Sequence, residues 1–324
     1  MGRLIHKKNK IILRKLSDRE MNQVNTIYNG IFGRKRSLDS FNHFYSNNPE
    51  GKAYSCLLEC DNKITGFCFT APRSLSFFGK KKKARIISNM LVDNDSRGKG
   101  YSNLISKKLF VLPKLYIGFI SGKYKWSEFN GGTVPIKTYT KTVPLLARFL
   151  NLNRRINCNV TIKRAYNLDR RINDFLSILE KTLPSLFFIK NQAFLNWRYI
   201  NLPNTKYKCY LILNKRARKN ILGFFAFHED DRSLVVDEFL ILDINQLENI
   251  LNFLYNYCVL NNLRKIKFTI LSRQIEHLLL KNRFKKMECN SFMLVLKING
   301  KDFIEKLLDK DNWHLTYGDF LDIS

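Results

Sequence analysis

The sequence predicts an α/β protein whose strands form mixed, largely antiparallel central sheets in two similar halves. Two observations carry this expectation. Short apolar strand patterns follow one another through polar turns and are interrupted by amphipathic helices, an order that alternating parallel βαβ units do not produce. The chain also repeats itself: residues 41–49 and 195–203 share Asn, Tyr, Asn and Pro in register, at an offset of 199 − 45 = 154.

Each half reads in the same order. A helix ending near Tyr45 and Pro49 leads to a strand at 54–59, the turn Asp61-Asn62-Lys63, and strands at 66–70 and 85–92. The helix at 101–110 places Tyr101, Leu104, Ile105 and Leu109 on one face, and a strand at 115–121 follows. In the second half the helix ends near Tyr199 and Pro203, and strands are expected at 207–213, 223–228 and 233–242. A helix at 245–261 carries Leu247, Ile250, Leu251, Leu254 and Cys258 at helical spacing, before a strand at 265–271. Tyr54 and Tyr207, Cys56 and Cys209, and Gly66 and Gly223 extend the match. The expected units are residues 1–150, a polar Asn/Arg-rich linker at 151–168, and residues 169–324, closing with a short helix at 303–308 and a tail at 313–322.

Composition bounds the function classes. With 324 residues and 45% hydrophobic content, the chain can bury two ordinary cores, and 25 Phe exclude a largely disordered protein. No apolar run is long enough to span a bilayer, and no signal-peptide pattern follows the basic start. His6 stands where a myristoylation signal wants Ser or Thr. A cytoplasmic protein is expected. The seven cysteines are odd in number and lack a CxxC pair, so they read as free thiols. The five histidines are scattered and predict no metal.

The net charge of +29 is read two ways, as lysine enrichment of the kind an AT-rich genome produces or as the mark of an anionic partner, and charge alone does not choose the partner. Basic residues are spread along the chain, and nucleic acid is not the expected partner. Lys80-Lys81-Lys82-Lys83, beside Arg85, is the dense cluster, and a solvated hairpin turn explains it as well as an anion site does.

The passage that carries chemistry runs from Ile86 to Ser102. A strand rich in Ile, Leu and Val enters the turn Arg97-Gly98-Lys99-Gly100-Tyr101-Ser102, which opens a helix. The first N–H groups of a helix lack intrahelical partners and sit at its positive dipole end. Glycine lets the main chain approach an anion, and Arg97 and Lys99 add charge, so the turn is suited to a diphosphate. It lacks the GK[ST] ending of a Walker loop and the third glycine of a dinucleotide fingerprint.

The remaining pattern, [Arg/Gln]-x-x-Gly-x-[Gly/Ala], is met by Arg97 and Gly100, with Ser102 in the last small position. It resembles the GNAT superfamily of acyl-CoA N-acyltransferases. The resemblance implies tandem GNAT-like domains in which residues 97–102 wrap the pyrophosphate of acetyl-CoA. Leu91 and Val92 would offer main-chain groups to the pantetheine arm. It further implies Tyr124 as the acid that protonates the departing thiolate, and Asn89 as a group that orients the amine or a water. Glu238, at the strand position equivalent to Asn89, is the candidate base, with Asp237 beside it; His43 and His228 are weaker candidates.

The second copy is degenerate, for Leu242–Glu248 has no glycine and no cation at the turn. It is therefore expected to shape the acceptor side. Segments 196–199 and 313–319 resemble tandem acetyltransferases of bacterial surface-polysaccharide biosynthesis, which implies an anionic, amine-bearing acceptor such as an amino-sugar nucleotide or glycan. Two alternatives stay open: a Fem-like transferase using aminoacyl-tRNA, and a basic, non-catalytic protein that binds nucleic acid or a membrane surface. Trp197-Arg198-Tyr199 and 313–319 are candidates for lining the cleft.

Overall fold

The computed structural model describes residues 9–14, 16–33, 35–109, 115–121, 132–149, 154, 156, 159–204, 207–217, 220–244, 246–287, 292–297 and 304–319. The chain opens with β1 (Asn9–Arg14), α1 (Asp18–Phe32) and α2 (Leu38–Tyr45), then β2 (Tyr54–Cys60), β3 (Lys63–Phe77) and β4 (Lys80–Val92). Next come α3 (Tyr101–Leu109), β5 (Leu115–Ser121), β6 (Thr133–Pro135), β7 (Lys137–Thr142) and α4 (Leu145–Phe149). The second half begins with β8 (Val160–Ala165), α5 (Arg171–Leu179), β9 (Leu186–Phe188) and α6 (Gln192–Leu195), which continues into a π-helical turn at Asn196–Ile200. It proceeds through β10 (Lys208–Asn214), β11 (Ile221–Asp230), β12 (Ser233–Ile241), α7 (Gln246–Leu260) and β13 (Lys265–Leu271). It closes with α8 (Arg273–Lys281), β14 (Lys285–Lys286), β15 (Phe292–Lys297), α9 (Ile304–Leu308) and β16 (Trp313–Thr316).

These strands form one continuous mixed sheet. Among the described strands, β4–β5, β12–β13 and β9–β16 pair parallel and the other pairs are antiparallel. The expected α/β class and mixed sheet are those observed. The helix at 246–260 buries all five residues assigned to its face. On α3, Ile105 and Leu109 are buried but Leu104 is exposed, because the helix packs on β2 and β3 through a narrower stripe.

Three features depart from the sequence reading. Residues 160–165, expected within a linker, form β8 and pair antiparallel with β10, an edge position that tolerates their charged residues. The lysine cluster is not a turn: Lys80 to Lys83 are strand residues paired with Phe77 to Ser74, and the turn is Phe78-Gly79, with φ of 49° and 74°. The halves also exchange strands. β15 inserts between β5 and β6, while β7 pairs with β13 and β14. Hydrogen bonding alone decides this, since a strand pattern names no partner.

A core cluster runs between the halves and includes Phe41, Tyr45, Phe69, Phe194, Trp197, Tyr199 and Trp313. At its centre His43 and Trp197 stack at 5.3 Å with an interplanar angle of 12°. Each ring nitrogen bonds the other residue's carbonyl: His43 Nε2 lies 2.8 Å from Trp197 O, and Trp197 Nε1 donates to His43 O at 3.0 Å. Their separation, 197 − 43 = 154, equals the repeat offset. Equivalent residues in reciprocal contact are what a two-fold axis produces.

Candidate active site

β4 and β5 pair from Ala84↔Leu115 to Ile87↔Gly118 and no further. Beyond Ile87, β4 carries a bulge: Asn89 has φ of 48°, and the register with β3 jumps from Phe69↔Ser88 to Phe67↔Leu91. The extra residue twists β4 away from β5 and opens a V between them. Among the described residues no strand pairs with this edge of β4 over 88–92. Leu91 and Val92, half-buried, line that edge.

Past the V, Asp93 caps a short turn by accepting from Asn94 N at 2.8 Å, and the chain reaches the exposed run Arg97–Gly98–Lys99–Gly100. Gly98 and Gly100 adopt φ of 77° and 73°, the left-handed region that L side chains avoid, and a Cβ on either would meet nothing within 4 Å. Conformation, not crowding, favours glycine here, and the space above the loop is open. Gly100 O accepts from Asn103 N and Leu104 N, so α3 starts at this point and the N–H groups around Tyr101 and Ser102 face outward. Arg97 Nε donates to Val92 O at 3.2 Å and Lys99 Nζ to Asp95 O at 2.9 Å, which folds both cations back onto the loop. A pyrophosphate fits this arrangement: exposed glycines, a helix start and two cations on one turn.

Asn89 does not face solvent alone. Its Nδ2 donates to Tyr45 Oη at 2.6 Å, and Tyr45 Oη lies 3.1 Å from Ser88 Oγ. Tyr45 is buried and stacks on Phe69 at 4.0 Å. Tyr45 therefore ties α2 to the bulge, a contact sequence reasoning did not find; its signal was Tyr45 itself, shared by both repeats. Tyr124 lies outside the described residues.

The counterpart in the second half is closed. β12 and β13 part after Val236↔Phe268, and β16 enters the gap, pairing with β13 at Ile270↔Thr316 and Leu271↔Leu315. Gly318 follows where a Cβ would lie 1.6 Å from Tyr199 Oη, so only glycine lets the tail pass. β16 thus occupies the place in the second half that no described strand fills beside β4 in the first.

Glu238 sits in this plug with no exposure. Its oxygens accept from Tyr199 Oη at 3.1 Å, Thr316 Oγ1 at 2.9 Å and Phe239 N at 3.0 Å, and pair with Lys190 Nζ at 2.9 Å. Lys190 also pairs with Asp319 at 3.1 Å. A general base must reach the proton it removes. Glu238, sealed and fully engaged, does not meet that condition; it is the hub of a buried ion network joining β9, β12 and the C-terminal segment. Asp237 is likewise buried, and burial raises its pKa while His228, 2.6 Å away, opposes the rise. Burial also holds His43 below its usual pKa. Trp197, Arg198, Tyr199 and the 313–316 strand are buried as well, so they form core rather than cleft wall.

His314 is buried beside this network, its Nε2 without a hydrogen-bond partner, and burial pushes its pKa down to about 4, Lys190 adding to the effect. The folded chain therefore keeps it neutral, while the unfolded chain protonates it near pH 6.5. The unfolded state binds the extra proton between those values, so stability falls as pH drops from about 6.5 to 4, by up to about 3 kcal/mol. Melting curves at pH 7 and 5 should show a smaller loss in His314→Leu than in the parent; an equal loss would refute the assignment.

No protein-family model matches the chain, and no curated relative does. Solved structures do resemble it. A probable N-acyltransferase from Enterococcus faecalis V583 superposes with a TM-score of 0.66 at 13% identity, over 89% of this chain and 72% of that one. The N-myristoyltransferase of Saccharomyces cerevisiae with bound myristoyl-CoA gives 0.60 at 12%, over 90% and 80%. A GCN5-related N-acetyltransferase from Kribbella flavida gives 0.56 at 14%, over 88% and 71%. The fold is the GNAT fold. In this GNAT fold the splayed β4–β5 edge and the glycine turn lie consecutively on one segment, residues 88–102. Among the described residues no cluster of three or more His, Cys, Asp or Glu could hold a metal, and no helix is long and apolar enough to cross a membrane.

Proposed function

We propose that this protein is an acyl-CoA-dependent N-acyltransferase with one CoA site, in the first half of the chain. The observation that carries the reading is the open β4–β5 V leading directly into the exposed Gly98–Gly100 turn, beside a second V filled by the protein's own tail. Gly98, Gly100, Tyr101 and Ser102 would hold the pyrophosphate through main-chain N–H groups, with Arg97 and Lys99 adding charge. Leu91 and Val92 would bond the pantetheine arm along the unpaired edge of β4. An acceptor amine attacks the thioester carbon, the C–S bond breaks, the nitrogen loses a proton and the thiolate gains one. The bulged backbone near Leu91 is suited to donate to the carbonyl oxygen. Tyr124 stays the proposed thiol-side acid and Asn89, held by Tyr45, a positioning group. The general base is left unassigned, Glu238 now being the ion-network hub.

The acyl group proposed is acetyl and the acceptor an amino sugar, nucleotide-linked or in a glycan; the net charge of +29 suits an anionic acceptor. The tandem arrangement is proposed as a duplication, supported by the reciprocal His43–Trp197 contact at the repeat offset.

Calorimetric titration with acetyl-CoA and myristoyl-CoA is the test. Binding of either, with free thiol released on adding amino-sugar nucleotides, is the expected result. Preference for the longer ester would change the acyl group; no binding of either at millimolar concentration would overturn the reading. Activity that requires aminoacyl-tRNA would favour the Fem-like alternative. Tyr45→Phe is expected to lower kcat with little change in KM for the acyl-CoA, because it frees Asn89 and the bulge while leaving the glycine turn intact. The hydroxyl takes part in two hydrogen bonds, with Asn89 and Ser88, and their loss should cost about 1–3 kcal/mol of stability.

A further inference from the structure

Three leucines stand unusually exposed on adjoining elements: Leu145 (72%) and Leu146 (64%) on α4 and Leu260 (69%) at the end of α7. Neither helix is loose. Ala147 and Val143 are buried in the same cluster as Leu254, Cys258 and Val259 of α7, so α4 is held with its two leucines turned outward. Val143 N, two residues before Leu145, donates to Arg264 O, four residues after Leu260, at 2.8 Å. Arg264 N in turn donates to Arg232 O at 2.7 Å. The leucines therefore share one end of the second-half sheet, where β12 and β13 begin.

That end is cationic. Arg154, Arg232, Arg264, Lys265 and Arg283 are exposed there. Arg154 N bonds Asn256 Oδ1 at 2.6 Å and its guanidinium covers the Tyr255 ring at 4.3 Å, which fixes it beside α7. Lys141 bonds Asn282 O at 2.7 Å between Arg154 and Arg283, whose like charges, after burial, hold its pKa down to about 8. The acids on the adjoining β11–β12 turn, Asp230 and Asp231, are fewer than the cations. Exposed leucines ringed by arginine and lysine match a bilayer that carries negative headgroups: the apolar chains enter the interface and the cations stay at headgroup level.

We propose that this end of the molecule, centred on Leu145, Leu146 and Leu260, docks peripherally on an anionic lipid surface. The docking residues belong to the second half and its edge, the CoA turn to residues 97–102 of the first half, with no residue in common, so the two functions are separable by substitution.

The test is co-sedimentation of the full chain with vesicles of phosphatidylglycerol and phosphatidylcholine in equal parts, against pure phosphatidylcholine vesicles. Binding to the former alone is expected, weakened by salt. Leu145→Glu/Leu146→Glu should reduce partitioning at least about tenfold, since it removes the inserting groups and adds repulsion. Arg264→Glu/Arg283→Glu should reduce it similarly. An unchanged melting temperature shows that either variant is folded. No binding by the parent, equal binding to neutral vesicles, or full binding by the leucine variant would each overturn the proposal. So would concentration-dependent self-association of the parent that the leucine variant abolishes without any vesicle binding.

Discussion

Gly100→Val is expected to abolish measurable acyl-CoA binding while leaving the protein folded. The φ of 73° at this position costs a β-branched residue strain of about 1–3 kcal/mol, and the side chain would project into the space where phosphate oxygens approach the start of α3. Nothing in the protein lies within 4 Å of the added Cβ, so the penalty falls on the loop and on the ligand, not on the core. Titration calorimetry should show the dissociation constant rising at least about a hundredfold, and the melting temperature should move by only a few degrees. A variant that binds acyl-CoA as tightly as the parent would remove the anion cradle from the proposed mechanism, whatever the fold resembles.

The second large effect is on stability. Lys190→Leu should destabilise the protein by about 3–5 kcal/mol, because Glu238 and Asp319 would then share a buried site without their common cation. Both carboxylates have essentially no exposure, and Lys190 contacts them at 2.9 and 3.1 Å. Arg73, stacked on Phe194 at 3.6 Å, stands 3.7 Å from Asp319 and cannot replace the lost contact to Glu238. Glu238→Gln should cost less, since Tyr199 and Thr316 can still bond an amide. Denaturant unfolding measures both. A Lys190→Leu midpoint equal to the parent's would mean that the network contributes little to holding the tail in the second V.

Much of this architecture was legible in the residues. Gly98 and Gly100 announced a turn between a strand rich in Ile, Leu and Val and an amphipathic helix, and the structure adds that both adopt the left-handed backbone few other residues tolerate. Tyr45 and Tyr199 align in the two similar segments, and each hydroxyl meets a strand residue, Asn89 on β4 and Glu238 on β12. What the pattern could not express was occupancy. Glu238 read as an available carboxylate because nothing in its neighbourhood along the chain reveals Lys190, 48 residues before it, or Thr316, 78 residues after it.

The sequence by itself therefore determined the α/β class with its mixed sheet and the main strands and helices of residues 41–121 and 195–271, all properties of local periodicity; the two-copy plan and the anion turn are proposals built on it. The tertiary structure decided the rest. It exchanged β7 and β15 between the halves, since a strand's edge bonds whichever partner arrives in register. It closed the second V with β16 and left the first unpaired among the described residues. It also turned the supposed base into a buried ion pair, because desolvation and pairing depend on residues that only folding brings together.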